Sequence, residues 1–319
     1  MSKIVITDPM QPAALEVLAQ RPDVRAELVV GTRSEDELAP RVAEADAILV
    51  GLTPITAKVI DSAPNLKVVS RRGVGYDNVD LAALRRRKVP LAIVGTANAS
   101  SVAEHTLFFI LVLAKQGMAY DRATRNGNWT FRESMSAVDV FDKTLFLAGF
   151  GRVGQAVAQR VAALGMKIIV YDPLVNPKQC GNARVQFVGT LREGLAVCDF
   201  LSVHVPLTPE TRDLIGTEEL ALMKPGAFVI STARGGIVNE GALVDALSSG
   251  RIRGAGLDVF VDEPLPAAHP LTKLENVILS PHSAALTREC ASRMDRVATQ
   301  NCLDAIDGRL DSALIVPNG

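Results

Sequence analysis

Short apolar runs and stretches of helical period alternate along the first third of the chain. Strand-like runs fall at Lys3 to Thr7, Ala26 to Val30, Ala47 to Val50, Leu66 to Ser70 and Leu91 to Val94. Between them, the spacing of apolar positions predicts helices near Pro12 to Gln20, Glu35 to Ala45, Ile55 to Ser62 and Val79 to Arg87. Strand and helix in strict turn predict a parallel sheet covered by helices. Ser101-Val-Ala-Glu104 has the spacing of a capping box. It opens an apolar stretch to about Met118 that is too long and leucine-rich for a strand, so a long helix is expected there.

From Gly127 to Lys143 the pattern turns polar and irregular around the only Trp, Trp129. Two readings stand: an excursion onto a partner subunit, or a surface loop packing its own Trp. A second alternating series then begins. Its strands are expected at Thr144 to Ala148, Lys167 to Tyr171, Arg184 to Val188, Phe200 to Val205, Ala227 to Ser231, Gly254 to Val259 and Val277 to Leu279, with a helix from Arg152. A helix from about Thr287 to Ile306 and a short apolar tail, Ala313 to Val316, close the pattern.

With 319 residues, the chain is about twice the usual single-domain size, so two domains are expected. Hydrophobic residues make up 48% but aromatics only 4%, so the interior is built from Ala, Val, Leu and Ile, the palette of parallel sheets buried on both faces. Thirty-four basic against 35 acidic residues give no electrostatic reason to expect nucleic acid or an anionic membrane as partner. The one basic run, Arg85-Arg86-Arg87-Lys88, reads as a solvated helix end. No apolar run reaches the roughly 18 residues of a membrane span, and the first residues lack the apolar region of a secretory signal, so the cytoplasm is the expected address. Cys180, Cys198, Cys290 and Cys302 are scattered without a C-x-x-C pair, which signals neither a disulfide framework nor a metal site.

Chemistry enters at Gly149-Phe-Gly151-Arg-Val-Gly154, a G-x-G-x-x-G motif that follows an apolar strand and opens a helix. In this context Gly149 permits the tight turn, Gly151 lets backbone approach a pyrophosphate, and Gly154 permits close packing of helix on strand. Asp172 ends the next strand 18 positions after Gly154, where a carboxylate would bind the ribose hydroxyls. A 2'-phosphate would meet like charge there, so NAD is favoured over NADP. Arg234, Asp258, Glu263 and His282 then follow three successive strand-like segments. An anion-binding group, carboxylates and a histidine beyond a dinucleotide motif are what hydride transfer to a carbonyl requires.

Over nearly its whole length the sequence resembles the D-isomer-specific 2-hydroxyacid dehydrogenases. The resemblance rests on Arg71-Arg-Gly-Val-Gly-Tyr-Asp-Asn-Val-Asp80, Ser101-Val-Ala-Glu104, the glycine motif with Asp172, His204-Val-Pro-Leu-Thr208 to Thr211, Met223-Lys-Pro-Gly226, Thr232-Ala-Arg-Gly-Gly236, Asp258 to Pro264, and Pro281-His282. It implies an NAD-dependent enzyme in which His282 is the general acid/base, Glu263 its carboxylate partner, and Arg234 the group that binds and polarises a small 2-hydroxy or 2-oxo acid. By the same resemblance the N–H groups of Val74 and Gly75 bind the substrate carboxylate. Arg152, Val153, Val205, Pro206, Thr211, Thr232, Ala233, Asp258 and Ala284 then line the cofactor, with Asp258 facing the nicotinamide carboxamide.

The resemblance further implies two doubly wound parallel-sheet α/β domains: a flavodoxin-like substrate domain, residues 1–98 plus 288–319, and a Rossmann nucleotide domain, residues 99–287. It implies a homodimer joined through the nucleotide domain, without a metal. Arg71 and Arg72 would meet a second anionic group of the substrate or form an ion pair at the domain surface. Two departures stand out: Ser283 follows the histidine where the family usually has an apolar residue, and Val74 stands where phosphoglycerate dehydrogenases often carry Thr. Two other functions share the scaffold, an NAD(H)-sensing corepressor-like protein and a dehydrogenase of a donor such as formate or phosphite.

Overall fold

The computed structural model describes residues 1–31, 34–179 and 184–317. In chain order the elements are β1 (Ser2–Ile6), α1 (Pro12–Ala19), β2 (Val24–Leu28), α2 (Glu35–Val42), β3 (Ala47–Val50), α3 (Ala57–Asp61), β4 (Val68–Arg71), α4 (Leu81–Arg87), β5 (Leu91–Ala92), α5 (Ala99–Ala114) and α6 (Gly117–Arg125). There follow β6 (Thr144–Ala148), α7 (Arg152–Ala162), β7 (Lys167–Tyr171), β8 (Val185–Phe187), α8 (Leu191–Val197), β9 (Phe200–Val203), α9 (Thr217–Leu222), β10 (Ala227–Ser231), α10 (Glu240–Ser248), β11 (Ile252–Leu257), β12 (Val277–Leu279) and α11 (Arg288–Ile306). They divide into two compact units, Met1–Asn98 with Leu286–Gly319, and Ala99–Ala285.

In the first unit five parallel strands lie in the order β2-β1-β3-β4-β5, the flavodoxin-like winding. Its centre reads as a continuous apolar run, Ala47 to Val50, because both faces of β3 are covered and every residue is buried. The edge strand β2 begins at Val24, two residues before the expected run. Only Val24 of that strand is buried, so its apolar pattern marks it poorly. At the other edge β5 is reduced to two residues, and the apolar tail covers it. The Ile93 N–H donates to the Leu314 carbonyl (2.9 Å), the Val316 N–H donates to that of Leu91 (2.9 Å), and Ile315 bridges Ala92 antiparallel.

The second unit holds seven parallel strands in the order β12-β11-β10-β9-β6-β7-β8. Winding starts at β6, runs outward to β8, then returns through β9 on the other side, so the order reverses between β6 and β9. Ligands bind in the crevice outside the carboxyl ends of strands at such a reversal.

The expected capping box does not form. α5 starts at Ala99 and buries Ser101 inside its first turn, while the Ser100 hydroxyl donates to Glu104 Oε1 at 3.1 Å. The helix also stops short of Met118, because Gln116 adopts a left-handed backbone (φ 53°) and α6 departs at 59°. No single described helix is long and apolar enough to cross a membrane. Cys198, Cys290 and Cys302 are buried free thiols, and Cys180 lies outside the described residues. Among the described residues no group of three His, Cys, Asp or Glu could hold a metal ion.

Candidate active site

The loops after β6, β7, β9, β10, β11 and β12 emerge at one edge of the seven-stranded sheet, because the strands are all parallel. At the reversal, Gly149 follows β6 with φ 103°, and a Cβ there would lie 2.6 Å from the His204 carbonyl oxygen beyond β9. A Cβ on Gly154 would lie 2.4 Å from the Gly149 carbonyl oxygen, so α7 can seat against the turn only with glycine. Gly151 differs: it caps α7 without a side-chain partner for the first N–H groups, and a Cβ on it would meet nothing within 4 Å. Open space in front of unpaired helix N–H donors and the positive dipole end fits a pyrophosphate.

Asp172, just past β7, accepts from the Phe150 N–H (2.8 Å) and the Leu174 N–H (2.9 Å), tying the glycine turn to the end of β7. Arg152 is exposed at the first turn of α7, Val153 half-buried. Past β9, Val205 is half-buried and Pro206 exposed. The Thr211 hydroxyl closes this loop, donating to the Pro206 carbonyl (2.6 Å) and accepting from the Thr208 N–H (2.8 Å). His204 pairs with the Ser202 hydroxyl at 2.8 Å, and burial pushes its imidazole down to about 4, so it is neutral near pH 7. Past β10, Thr232 is buried with its hydroxyl 3.1 Å from that of Thr106, and Ala233 is half-buried. Arg234 Nη1 donates to the Ala233 carbonyl at 2.8 Å.

Beyond β11 and β12 the structure brings Glu263 and His282 together. His282 Nδ1 lies 2.7 Å from Glu263 Oε2, and Glu263 Oε1 accepts from the Phe260 N–H at 3.0 Å. A carboxylate only accepts, so Nδ1 carries a proton and Nε2 is left for exchange with a substrate. Burial pushes the Glu263 carboxyl up, but hydrogen bonds from His282 and Phe260 and the charges of His282 and Arg234 outweigh it. The net result lies below the usual glutamate value.

Asp258 is enclosed by the loop that carries His282. It is 1% exposed. Its Oδ1 accepts from the Ser280 hydroxyl and the Ser283 N–H (2.8 Å), its Oδ2 from the N–H of buried Ala284 (2.9 Å), and its main-chain carbonyl from the His282 N–H (2.8 Å). The unusual Ser283 thus meets Asp258 through its backbone.

In the first unit, Val74 and Gly75 are half-buried in the loop after β4. Arg71 is buried and donates to the Arg72 carbonyl. Arg72 forms an ion pair with Asp295 of α11, a residue 0% exposed that also accepts from the Gln11 N–H at 2.6 Å. The ion pair is made with a buried carboxylate rather than at the domain surface.

Residues 107–284 match the NAD binding domain of the D-isomer specific 2-hydroxyacid dehydrogenases. The chain belongs to that family. It is 42% identical over 291 residues to the D-3-phosphoglycerate dehydrogenase of Mycobacterium tuberculosis, covering 91% of this chain and 54% of that protein. The chain therefore spans about half the length of the phosphoglycerate dehydrogenases it matches. Among solved structures, the TT0316 protein of Thermus thermophilus superposes with a TM-score of 0.89 at 35% identity, covering 99% of this chain and 100% of the other. The D-lactate dehydrogenase of Aquifex aeolicus, solved with NAD and lactic acid, gives 0.88 at 28% identity, covering 99% and 98%.

Several polar residues that brace this loop cluster escaped sequence reasoning. Glu240, opening α10, accepts from the Val261 N–H (2.7 Å) and pairs with His269 (3.2 Å), propping the loop that bears Glu263. His105 contacts Ser280 from α5. No local motif marks either contact, because the partners lie 21 and 175 positions away. The Ser before Pro-His was the one visible cue.

Proposed function

We propose that this chain is an NAD-dependent oxidoreductase that interconverts small D-2-hydroxy acids and their 2-oxo acids. The observation that carries the reading is the 2.7 Å pair of His282 and Glu263, on the same sheet edge as a glycine turn open to a pyrophosphate. The second unit takes the nucleotide role and the first the substrate role. Gly149, Gly151, Gly154 and the α7 N-terminus would hold the pyrophosphate of NAD, and Asp172 the adenosine ribose, with its charge disfavouring NADP. NAD, when bound, supplies or accepts the hydride.

The chain's own residues handle the rest. In reduction, His282 gives its Nε2 proton to the substrate oxygen; in oxidation, Nε2 takes it back. Glu263 keeps the Nδ1 proton in place and balances the imidazolium. Arg234 binds the 2-oxo carboxylate and concentrates positive charge where the alkoxide develops. The backbone N–H groups of Val74 and Gly75 serve the carboxylate, and Arg71, three positions before Val74, supplies a second cation.

The reading includes a homodimer. Phe108 (47% exposed) and Trp129 (69% exposed) stand on the α5 and 127–143 segments of the second unit, apolar surface suited to a second copy. It places the enzyme in the cytoplasm, where buried thiols such as Cys198, Cys290 and Cys302 stay reduced.

The test is oxidation of NADH and NADPH with glyoxylate, pyruvate, hydroxypyruvate, phosphohydroxypyruvate and 2-oxoglutarate, with His282→Ala as control. Turnover with NADH that is lost in the variant supports the reading. Tight NADH binding without turnover of any 2-oxo acid would sink it.

A further inference from the structure

His105 lies outside every motif that points to the chemistry, yet it is joined to the catalytic loop. Its Nε2 lies 2.9 Å from the Ser280 hydroxyl oxygen, and that hydroxyl donates to Asp258 Oδ1. A serine has one proton to give. Because Ser280 gives it to the carboxylate, its oxygen accepts from His105, and Nε2 of His105 carries a proton.

The chain of bonds runs from His105 Nε2–H to Ser280 and on to Asp258, and from Asp258 to the N–H groups of Ser283 and Ala284. These bonds wrap residues 280–284 around one buried carboxylate. At the centre of the wrap His282 holds a left-handed backbone, φ 51°, which a non-glycine residue keeps only where its surroundings impose it. His105 itself is held in register: its ring packs edge-on against Phe109 at 4.6 Å, and Phe109 occupies the notch over Gly256 of β11, where a Cβ would lie 2.5 Å from the ring.

We propose that His105 is a positioning residue for the acid/base histidine. By pinning the Ser280 rotor it keeps Asp258 supplied with a donor, and through Asp258 it holds the left-handed turn that aims His282 at Glu263 and the substrate. The proposal rests on the dehydrogenase reading for its kinetic consequence, but not for its structural one.

Kinetics and NMR of the full chain test it together. His105→Ala is expected to lower kcat about 10- to 100-fold, the scale of a small misalignment of a reacting group, while NADH affinity falls by much less than kcat, since the glycine turn is untouched. His105→Gln, which restores an N–H donor, is expected to recover most of kcat; His105→Phe, which restores only bulk, is not. Ser280→Ala should give the same loss, and the double variant should be no worse than either single one. Loss of kcat under about 3-fold in His105→Ala, a Gln variant no better than Phe, or additive losses would each overturn the proposal. Should His105→Ala not fold, Ser280→Ala and the Gln and Phe variants carry the same decision.

The low-field Nδ1 proton of His282, assigned by its absence in His282→Asn, separates this proposal from the functional reading. It should broaden or vanish in His105→Ala and return in His105→Gln. An unchanged signal in His105→Ala overturns positioning whatever substrate the enzyme takes. Absence of turnover in the wild type would instead count against the dehydrogenase reading alone.

Discussion

Glu263 and His282, 19 positions apart, meet with Oε2 and Nδ1 at 2.7 Å because the loops after β11 and β12 share one sheet edge. A hydrogen bond to a carboxylate is charge-assisted and orients the ring as well as stabilising its cation. His282→Ala is therefore expected to lower kcat by about 100- to 10,000-fold, the usual worth of a general acid/base. Glu263→Gln keeps a hydrogen-bond partner but loses the charge, and should lose less than His282→Ala. Steady-state rates with NADH and the preferred 2-oxo acid decide it, and equal losses would deny the carboxylate a merely supporting role.

The depressed Glu263 carboxyl also makes a statement about stability. The folded state holds the ionised form better than the unfolded chain does, so the contribution is present above the ordinary glutamate value of 4.5 and is lost as pH falls below it through the lowered one. Urea denaturation of wild type and Glu263→Gln from neutral pH to pH 3 should show a constant gap that closes only in that acid range. A gap that widens on acidification would contradict the assigned direction.

Two glycines of the nucleotide turn are predicted to fail differently. Gly154→Ala places a methyl 2.4 Å from a carbonyl oxygen, so the turn and α7 must separate. It should cost about 1–3 kcal/mol of stability, as overpacking does. Gly151→Ala meets nothing within 4 Å, so melting should stay near wild type while NADH affinity falls about 10-fold or more. Calorimetry paired with NADH fluorescence titration checks both; unchanged affinity in Gly151→Ala would remove the pyrophosphate from that space.

The Arg72 and Asp295 pair should matter to folding rather than chemistry. Burial holds the Asp295 carboxyl above its ordinary value even though the Gln11 N–H and Arg72 oppose it. Removing Arg72 takes the ion-pair partner from a buried carboxyl, so Arg72→Ala is expected to cost about 3–5 kcal/mol. Arg72→Met with Asp295→Leu should recover much of that. Denaturant titration of the three variants tests it, with recovery absent in the double variant as the contrary result.

Much of this protein was legible from pattern alone. β3, β6 and β10 have the expected bounds because central parallel strands are apolar on both faces and need no partner to be recognised; β7 and the edge strand β12 match as well, on short apolar runs. The turn from Gly149 to Gly154 and the place of Asp172 after β7 were legible for a related reason: strand, turn and helix follow one another locally. Edge strand β2 and the start of α5 were misplaced, since an exposed edge carries little apolar signal and Ser101 is buried instead of capping.

Residue order along the chain already names the residue types that stand after each strand, and so the candidate acid, base and anion binder. What each of them touches follows from the packed fold alone. That Asp258 turns inward to hold the His282 loop, that Arg72 is spent on Asp295, and that His105 reaches Ser280 across 175 residues all depend on strand order and helix packing. Hydrogen bonds are short-ranged and directional, whereas the periodicity of a chain reports only on its nearest turns.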